Sequence, residues 1–414
     1  MTPEMRGFLL LSVIKMLLVF TVVMVGVALL TLMERKVSAW MQNRRGPNRV
    51  GPAGLLQPAA DGLKNILKEE TFPALANRNL FLLAPAMSFV PALLLFGVIP
   101  FGAPLPLEFD FTLGPLGRFV HSGPMPMVVA DLPIGFLFIL AISSMGVYGI
   151  ALAGWSSNSK YSLLGGLRAS AQMVSYEVAL GLSLIPVLLM SGSVSLSAIV
   201  REQQLGLWYV LPLSLSFFIF LIAGFAETNR LPFDMPEAES ELIAGYHTEY
   251  SAMKFSFFFI AEYANVVTVC ALITTLFFGG WDIPFTRWDE AGGALQTIAT
   301  AGFFFAKVMF WIFFVMWIRW TLPRFRYDQL MALGWKVLMP LALAYIMLIC
   351  VAIYLIQRYT GISDPLTQGL ALFGLNIVVA ILVFGALDSG LFIKGSGRQR
   401  QTLEAGARRV GVTS

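Results

Sequence analysis

Long apolar runs separated by short polar segments dominate the chain. A run of roughly 18 apolar residues can cross a membrane as a helix, whereas a barrel strand needs only about ten residues. A helix also satisfies its own backbone hydrogen bonds in lipid. The pattern therefore predicts an all-α polytopic membrane protein with nine spans. They lie near residues 8–32, 80–101, 126–150, 174–192, 207–226, 253–278, 298–320, 335–356 and 368–392.

The composition agrees with this prediction. Hydrophobic residues make up 57% of the chain and charged residues only 13%, against about a quarter in ordinary soluble domains. The first apolar run carries Lys15 and is not followed by a small-residue cleavage site. It is therefore predicted to be a retained helix and not a signal peptide.

The basic residues fall mainly on one side of the predicted spans. Counted loop by loop, 21 of the 28 lysines and arginines lie on the side opposite the N-terminus. Because basic residues favour the cytoplasmic side, we expect the N-terminus outside and the loop after the fifth span inside. We divide the chain into a transmembrane domain over 1–356, an additional C-terminal helix within 357–396 and a flexible basic tail over 397–414.

Between the first two spans, residues 54–69 place apolar side chains at helical spacing. Such an amphipathic helix either lies along the membrane surface or roofs a cavity, and the sequence leaves both open. Residues 102–125 and 279–297, on the other side, are interpreted as connectors without a chemical pattern.

The chain offers few ligands for a metal or redox group. Cys270 and Cys350 both lie in predicted spans, and no Cys-x-x-Cys spacing occurs. His121 and His247 are too few for a haem pair within the bilayer, and no glycine-rich phosphate loop is present. We therefore expect no metal site, no catalytic residue and no cofactor in this chain alone, and no nucleic-acid partner.

Several ionisable residues lie where a bilayer should reject them, at about 2.5–3.5 kcal/mol each. Glu177 and Glu262 lie inside apolar runs, and Lys307 lies near the middle of the seventh. A functional interpretation is favoured for these three. Glu34 and Arg35 lie at the end of the first span, where side chains reach the surface easily, so a structural role is favoured there.

The loop after the fifth span is unusually acidic. Residues 226–250 read AETNRLPFDMPEAESELIAGYHTEY. Burial and neighbouring carboxylates raise carboxyl pKa values, so such a cluster can hold and pass protons near neutral pH. A solvated acidic loop is the alternative. The carboxylates of this segment are Glu227, Asp234, Glu237, Glu239, Glu241 and Glu249.

Four long stretches carry a resemblance to a known family. They are MERKVSAWMQNRRGPNRVGPAGLLQPAADGLKNILKEE, GWSSNSKYSLLGGLRASAQMVSYE, AETNRLPFDMPEAESELIAGYHTEYSAMKF and RWTLPRFRYDQLMALGWK. In this order they resemble the quinone-chamber membrane subunit (the H subunit) of proton-pumping NADH:quinone oxidoreductase, respiratory complex I. The similarity extends over roughly residues 10–350. Residues 368–392 are an addition to the eight spans of many family members.

The resemblance implies a tilted bundle of eight transmembrane helices plus the added ninth, with amphipathic helices in the inward-facing loops. It implies quinone as substrate, with FMN and iron–sulfur clusters in partner subunits. Those partners are peripheral-arm iron–sulfur and quinone-site subunits, small membrane subunits and antiporter-like subunits, besides membrane lipid. The implied location is a bacterial cell inner membrane, with the N-terminus periplasmic and the acidic loop cytoplasmic.

The resemblance also implies roles for individual residues. Those of the quinone tunnel and chamber are Glu34, Arg35, Arg44, Arg45, Arg49, Asp234, Glu237, Glu239 and Glu241. Those of the proton path are Glu177, Glu227, Glu262 and Lys307. Arg319 and Arg326 also match family-like positions, with less definite roles.

Two alternatives stay open. A homologous membrane subunit of an ion-pumping hydrogenase would be told apart by a nickel–iron partner in place of NADH-oxidising subunits. A free-standing secondary transporter would use intramembrane glutamate and lysine and would transport its substrate as an isolated chain. No internal repeat supports the transporter.

Overall fold

The computed structural model describes residues 2–112, 118–234, 244–284, 286, 288, 293–360 and 364–388. Within these ranges the chain folds as a bundle of long helices with two small two-stranded antiparallel sheets. Eight of the described helical segments are long and apolar enough to cross a membrane. The predicted fold class, an all-α polytopic membrane protein, is confirmed.

The helices and strands follow one another in a simple order. The helices are α1 Pro3–Met41, α2 Gln57–Leu67, α3 Arg78–Leu94, α4 Gly135–Ser156, α5 Lys160–Ser191, α6 Leu196–Leu205, α7 Ser214–Glu227, α8 Ala252–Phe277, α9 Ala294–Thr321, α10 Tyr327–Leu333, α11 Met339–Leu355 and α12 Pro365–Asp388. The strands are β1 Gly102–Pro106, β2 Phe109–Thr112, β3 Arg118–His121 and β4 Pro124–Met127. A π-helical turn over Gly334–Leu338 joins α10 to α11, so the two form one continuous span.

The third and fourth predicted spans differ most from the helices at their N-terminal ends. The third begins at Gly135 and not near 126, because residues 124–127 form β4. The fourth begins much earlier than 174, at Lys160, and its 32 residues extend well beyond the apolar run.

The fifth predicted span, 207–226, is wrong over its first third. Helix α7 has only 14 residues, Ser214–Glu227, and residues 207–213 are not helical. Pro212 contributes to this difference. Its ring disfavours the helical conformation at the preceding residue, and its nitrogen has no hydrogen to donate, so it favours a helix that begins after it. Proline does not forbid a helix in this chain, since α3 and α5 both continue through prolines.

The connector over 102–125 is more regular than expected from the sequence. β1 pairs with β4 and β2 with β3, each pair antiparallel. In the β2–β3 hairpin Arg118 forms an exposed ion pair with Asp110 across the strands. Gly7 of α1 lets this hairpin lie close, since an added Cβ there would meet the Val120 carbonyl oxygen at 2.1 Å.

The main apolar core lies around α5, α7 and α8, where Tyr176, Phe220 and Phe277 are fully buried. Close contact between α4 and α5 depends on small residues. A Cβ added at Gly154 would lie 2.6 Å from the Ser162 carbonyl oxygen. Small residues of this kind let transmembrane helices approach backbone to backbone.

Helix α1 joins this core only by its C-terminal half, and most apolar side chains of its N-terminal half are exposed. The buried part of α1 carries Glu34 into the bundle. The amphipathic helix expected within 54–69 is present as α2, Gln57–Leu67, with none of its residues buried. It therefore lies on the outside of the bundle.

Candidate functional site

Glu34 is the centre of a buried group of charged side chains. It is 6% exposed and accepts hydrogen bonds from the Tyr263 hydroxyl, from Arg319 Nη1 and, at 3.4 Å, from Arg230 Nη1. Tyr263 belongs to α8, Arg319 to the last turn of α9, and Arg230 to the loop after α7. Three parts of the chain that are far apart in sequence therefore meet at one carboxylate of α1.

Arg230 connects this carboxylate to a second one. Its side chain is 5% exposed, and its Nε lies 2.5 Å from Glu262 Oε1. The angle of this contact makes it an ion pair and not an aligned hydrogen bond. The guanidinium carbon also lies 4.1 Å from the centre of the Tyr263 ring. We call Glu34, Arg230, Glu262, Tyr263 and Arg319 the charge cluster.

The charges of the cluster balance. Its members include two carboxylates and two guanidinium groups, all within the described part of the chain. Buried charges are tolerated when they are paired and hydrogen-bonded, but the loss of one partner typically costs about 3–5 kcal/mol. The cluster is therefore stable as a set and sensitive to the removal of any one charge.

Asp234 lies next to the charge cluster. Its Oδ2 pairs with Arg324 Nη2 at 3.1 Å, whereas its buried Oδ1 has no hydrogen-bond partner among the described residues. Burial raises the pKa of Asp234 to about 6, although the positive charge of Arg324 lowers it. The Glu262 carboxylate adds to the rise, so Asp234 senses the charge of the cluster.

Packing between two loops holds Asp234 in place. The Phe233 and Phe325 rings stack with centres 5.5 Å apart, and the Phe325 N–H donates to the Pro232 carbonyl oxygen at 3.2 Å. The loop after α7 is thereby fixed to the loop after α9. This contact places Asp234 and Arg324 side by side.

Glu177 of α5 and Glu227 at the end of α7 form a second acidic site, the carboxylate pair. The two interact electrostatically, and the Ser143 hydroxyl of α4 is within hydrogen-bonding reach of Glu227. Among the described residues, no lysine or arginine forms an ion pair with either carboxylate. The pair therefore differs from the charge cluster in its electrostatic environment.

Three small neighbouring cavities lie between the charge cluster and Glu227. The first, of about 20 Å³, lies within the charge cluster. The second, of about 10 Å³, shares Val266 and Val315 with the first, and Thr228 and Val269 with the third. The third, of about 20 Å³, is lined by Glu227. Each has room for about one water molecule, and polar groups line the two end cavities.

The arginines predicted near the tunnel are placed differently. Arg35 lies beside Glu34 in sequence but points to α2, where its Nη1 pairs with Asp61 Oδ2 at 2.6 Å. Arg44, Arg45 and Arg49 are exposed in the loop after α1 and do not reach the charge cluster. Glu237, Glu239 and Glu241 lie outside the described residues.

Lys307 is also separate from the cluster. Twelve residues of helix, about 18 Å, separate it from Arg319. Its ammonium donates to the carbonyl oxygens of Phe278, Gly280 and Asp282 at 2.7, 3.0 and 2.7 Å. These contacts close the C-terminal end of α8, as a cation at a helix C-terminus is expected to do. A role for Lys307 in a proton path stays a prediction.

The residue that joins the site together was not predicted from the sequence. Arg230 is one of the basic loop residues of the inward side, and a single arginine in the acidic stretch AETNRLPFD is a usable signal for a buried ion pair. Arg324 was likewise not singled out. No group of three histidine, cysteine or acidic side chains in the described ranges could hold a metal ion.

Comparison with known proteins identifies the family. The family model described as NADH dehydrogenase matches residues 14–350. A protein of Koribacter versatilis, named as H subunit 2 of NADH-quinone oxidoreductase, is 53% identical over 344 residues, which cover 82% of this chain and 96% of that protein.

Two further relatives agree. The NADH-quinone oxidoreductase H subunit of Leptospira biflexa is 50% identical over 336 residues, covering 81% of this chain and 92% of the relative. H subunit 1 of the Geobacter metallireducens enzyme is 51% identical over 333 residues, covering 80% and 93%. The chain therefore belongs to the NADH dehydrogenase family of membrane proteins whose named relatives are the H subunits of NADH-quinone oxidoreductases.

Proposed function

We propose that the chain is the membrane subunit of an NADH:quinone oxidoreductase that forms one side of the quinone chamber and couples quinone reduction to proton translocation. The observation that carries the proposal is the charge cluster, in a chain of this family. The cluster and Asp234 gather ionisable groups at one end of the bundle, and the partly buried Glu227 and Glu177 lie on α7 and α5 beyond them. The chain contributes this polar path, and FMN and iron–sulfur clusters would belong to partner subunits.

The chamber would be completed by other subunits. The cavity within the charge cluster, about 20 Å³, has room for a water molecule and not for a quinone ring. The quinone would therefore bind beyond the cluster, between this end of the bundle and a peripheral subunit that carries an iron–sulfur cluster. The segment 235–243, which carries Glu237, Glu239 and Glu241, follows Asp234 directly in the sequence.

The coupling role follows from the chemistry of quinone reduction. A quinone takes up protons as well as electrons when it becomes a quinol, so reduction withdraws protons from nearby acids. Asp234 is poised to respond, because its pKa of about 6 lies close to neutral pH. A change of its charge acts on the cluster through Glu262, and the row of neighbouring water-sized cavities supports a path to Glu227.

At the far end of that path, the carboxylate pair can hold a proton. Two adjacent carboxylates repel each other, and a proton shared between them removes the repulsion. Arrival of a proton at Glu227 would change the charge of the pair, which could then pass a proton on to antiporter-like or small membrane subunits. In this arrangement the charge cluster faces the cytoplasm of a bacterial inner membrane, on the side favoured by the basic residues.

A reconstituted complex in proteoliposomes tests the proposal. Three quantities would be measured: NADH:ferricyanide reduction, which reports electron entry alone, NADH:quinone reduction, and protons pumped per electron. Glu227→Gln should leave the ferricyanide rate and assembly intact and lower the number of protons per electron. The matched control is Glu69→Gln, which changes an exposed glutamate in the loop after α2.

Two outcomes would contradict the proposal. Unchanged pumping in Glu177→Gln, Glu227→Gln and Glu262→Gln would remove the proton-path role. Co-purification of the chain with a nickel–iron enzyme, without NADH-oxidising subunits, would favour the hydrogenase alternative.

A further inference from the structure

Helix α7, which carries Glu227, is too short to cross a membrane alone. Its 14 residues measure about 21 Å, against about 30 Å for the hydrocarbon core. The preceding residues, 207–213, form a turn-like segment and not a helix, although the Leu213 N–H donates to the Tyr209 carbonyl oxygen at 2.9 Å. Non-helical backbone at membrane depth is stable only where other parts of the protein satisfy its polar groups.

Asn376 of α12 satisfies one of these groups at the N-terminal end of α7. The side chain is 1% exposed, and its Nδ2 donates to the carbonyl oxygens of Pro212 and, at 3.0 Å, of Leu372. Its Oδ1 accepts a hydrogen bond from the Tyr345 hydroxyl at 2.6 Å. The carboxamide thus ties the segment before α7 to both α11 and α12.

Helix α12 packs closely over this non-helical segment. A Cβ added at Gly206 would lie 3.2 Å from Pro365 Cβ, and one added at Gly369 would lie 3.3 Å from Leu207 Cδ1. Glycines on both sides of the contact allow the close approach. The family match ends at residue 350, so α12 lies beyond it.

Gln172 of α5 holds the other end of α7. Its side chain is fully buried, and its Nε2 donates to the carbonyl oxygens of Ala226 at 2.7 Å and Phe233 at 2.8 Å. The Asn229 Oδ1 lies 3.2 Å from the same nitrogen. One carboxamide therefore fixes the last turn of α7 and the loop that contains Arg230.

We propose that Gln172 and Asn376 are positioning residues that clamp α7 at its two ends and so fix Glu227 relative to Glu177. The inference rests on the proposed function, because it assigns the clamp to the coupling step. A carboxamide suits this task, since its donor binds backbone carbonyls firmly without adding a charge. The N-terminal clamp depends on a helix that this chain carries beyond the family match.

Substitutions that remove the donors test the clamp in the reconstituted complex. Asn376→Leu and Gln172→Met should keep the NADH:ferricyanide rate and lower the number of protons pumped per electron. Hydrogen–deuterium exchange should locate the change, at residues 207–213 for the first variant and 226–234 for the second. We expect exchange there to rise about tenfold, the factor that corresponds to one lost buried hydrogen bond of about 1.4 kcal/mol.

Gln172→Glu adds a signature that a space-filling role would not give. A carboxylate cannot donate a hydrogen bond, whereas a protonated carboxyl group can donate one. Pumping by this variant should therefore recover partly as the pH falls, relative to the wild type, while pumping by Gln172→Met should not. Asn376→Asp is the companion variant, because it keeps an acceptor for Tyr345 but cannot donate to Pro212 while ionised.

Leu370→Ala on α12 and Val174→Ala on α5 are matched controls, since both side chains are about half exposed and take no part in the hydrogen bonds of Gln172 and Asn376. Wild-type pumping and exchange in Asn376→Leu and Gln172→Met, with impaired pumping in Glu227→Gln, would overturn the clamp and leave the proposed function standing. Wild-type pumping in Glu227→Gln as well would overturn both. If Asn376→Leu does not assemble, Asn376→Asp and the two Gln172 variants decide by the same readouts.

Discussion

The charge cluster and the carboxylate pair contain the same kind of residue in opposite surroundings. Glu34 and Glu262 each contact a guanidinium group, and Glu34 also accepts the Tyr263 hydroxyl. Glu227 interacts electrostatically with Glu177 and lies within reach of the Ser143 hydroxyl, and neither carboxylate forms an ion pair with a described lysine or arginine. Burial alone therefore does not define the role of an acid in this protein.

The difference separates two tasks. Carboxylates matched by fixed cations hold their charge and fix the position of the helices that carry them. Carboxylates that repel each other gain from taking up a proton, so their charge can change during a reaction cycle. We accordingly expect the charge cluster to be needed for folding and for transmitting the electrostatic effect of Asp234. The carboxylate pair should be needed for proton transfer.

The largest effect is expected from Arg230→Met. The substitution leaves Glu34 and Glu262 buried with only Arg319 as a cation, so the fold should lose about 3–5 kcal/mol. Less assembled complex should be present in membranes, and what assembles should denature at a lower temperature. Thermal denaturation of the purified complex measures this loss.

Charge balance supplies the control for this variant. Arg230→Met combined with Glu262→Gln restores one carboxylate against one guanidinium within the cluster. The double variant should therefore be more stable than Arg230→Met alone. A double variant that is equally unstable would mean that packing of Arg230 on Tyr263, and not charge, dominates the cluster.

The second prediction concerns the carboxylate pair. If Glu177 and Glu227 hold one proton between them, removal of either charge disrupts the same step, and the double variant Glu177→Gln/Glu227→Gln should pump little worse than the poorer single variant. The expected coupling energy between the two substitutions is about 0.5–3 kcal/mol in the apparent free-energy barrier to proton pumping. Glu227→Gln combined with Glu69→Gln should be additive, because Glu69 is exposed. Additive losses at 177 and 227 would contradict a shared proton.

A smaller effect is expected from the pH dependence of Asp234. Its pKa in the fold, about 6, is higher than its ordinary value of 3.8, so the folded state favours the protonated carboxyl group. The resulting stabilisation is complete below about pH 4 and is lost as the pH rises through about 6. Asp234→Asn should remove this part of the pH dependence of thermal stability, and with it an inflection near pH 6 in the quinone rate.

Arg324→Met tests the cause of that inflection. The Arg324 guanidinium opposes the rise in the Asp234 pKa, so its removal should move the inflection to higher pH. An inflection that stays in place would assign it to another group. The profile would be compared in one buffer series at constant ionic strength, since charge–charge effects depend on salt.

Much of the fold could be predicted from the sequence because long apolar runs have few other solutions in lipid. The short α7 was missed because hydropathy does not distinguish the apolar residues 207–213 from a helix, although Pro212 gave a local signal. The two strand pairs were missed because their strands have only four or five residues each. The partners of the buried charged residues were harder still to predict from the sequence. The pairing of Glu34 with Arg319 joins residues 285 apart in sequence, and only the packing of α1, α8 and α9 brings them together.

The smallest effect is expected where a charge pair lies at the surface. Arg35 Nη1 lies 2.6 Å from Asp61 Oδ2, but the two side chains are 48% and 35% exposed, so water and salt screen their attraction. Asp61→Asn should change the stability of the complex by no more than about 1 kcal/mol, the upper range for exposed pairs. The measurement is the same thermal denaturation used for Arg230→Met. A loss of stability comparable to that of Arg230→Met would show that the contact between α1 and α2 stabilises the complex as strongly as the buried cluster does. Paired charges inside and outside the bundle would then not differ in their contribution to stability.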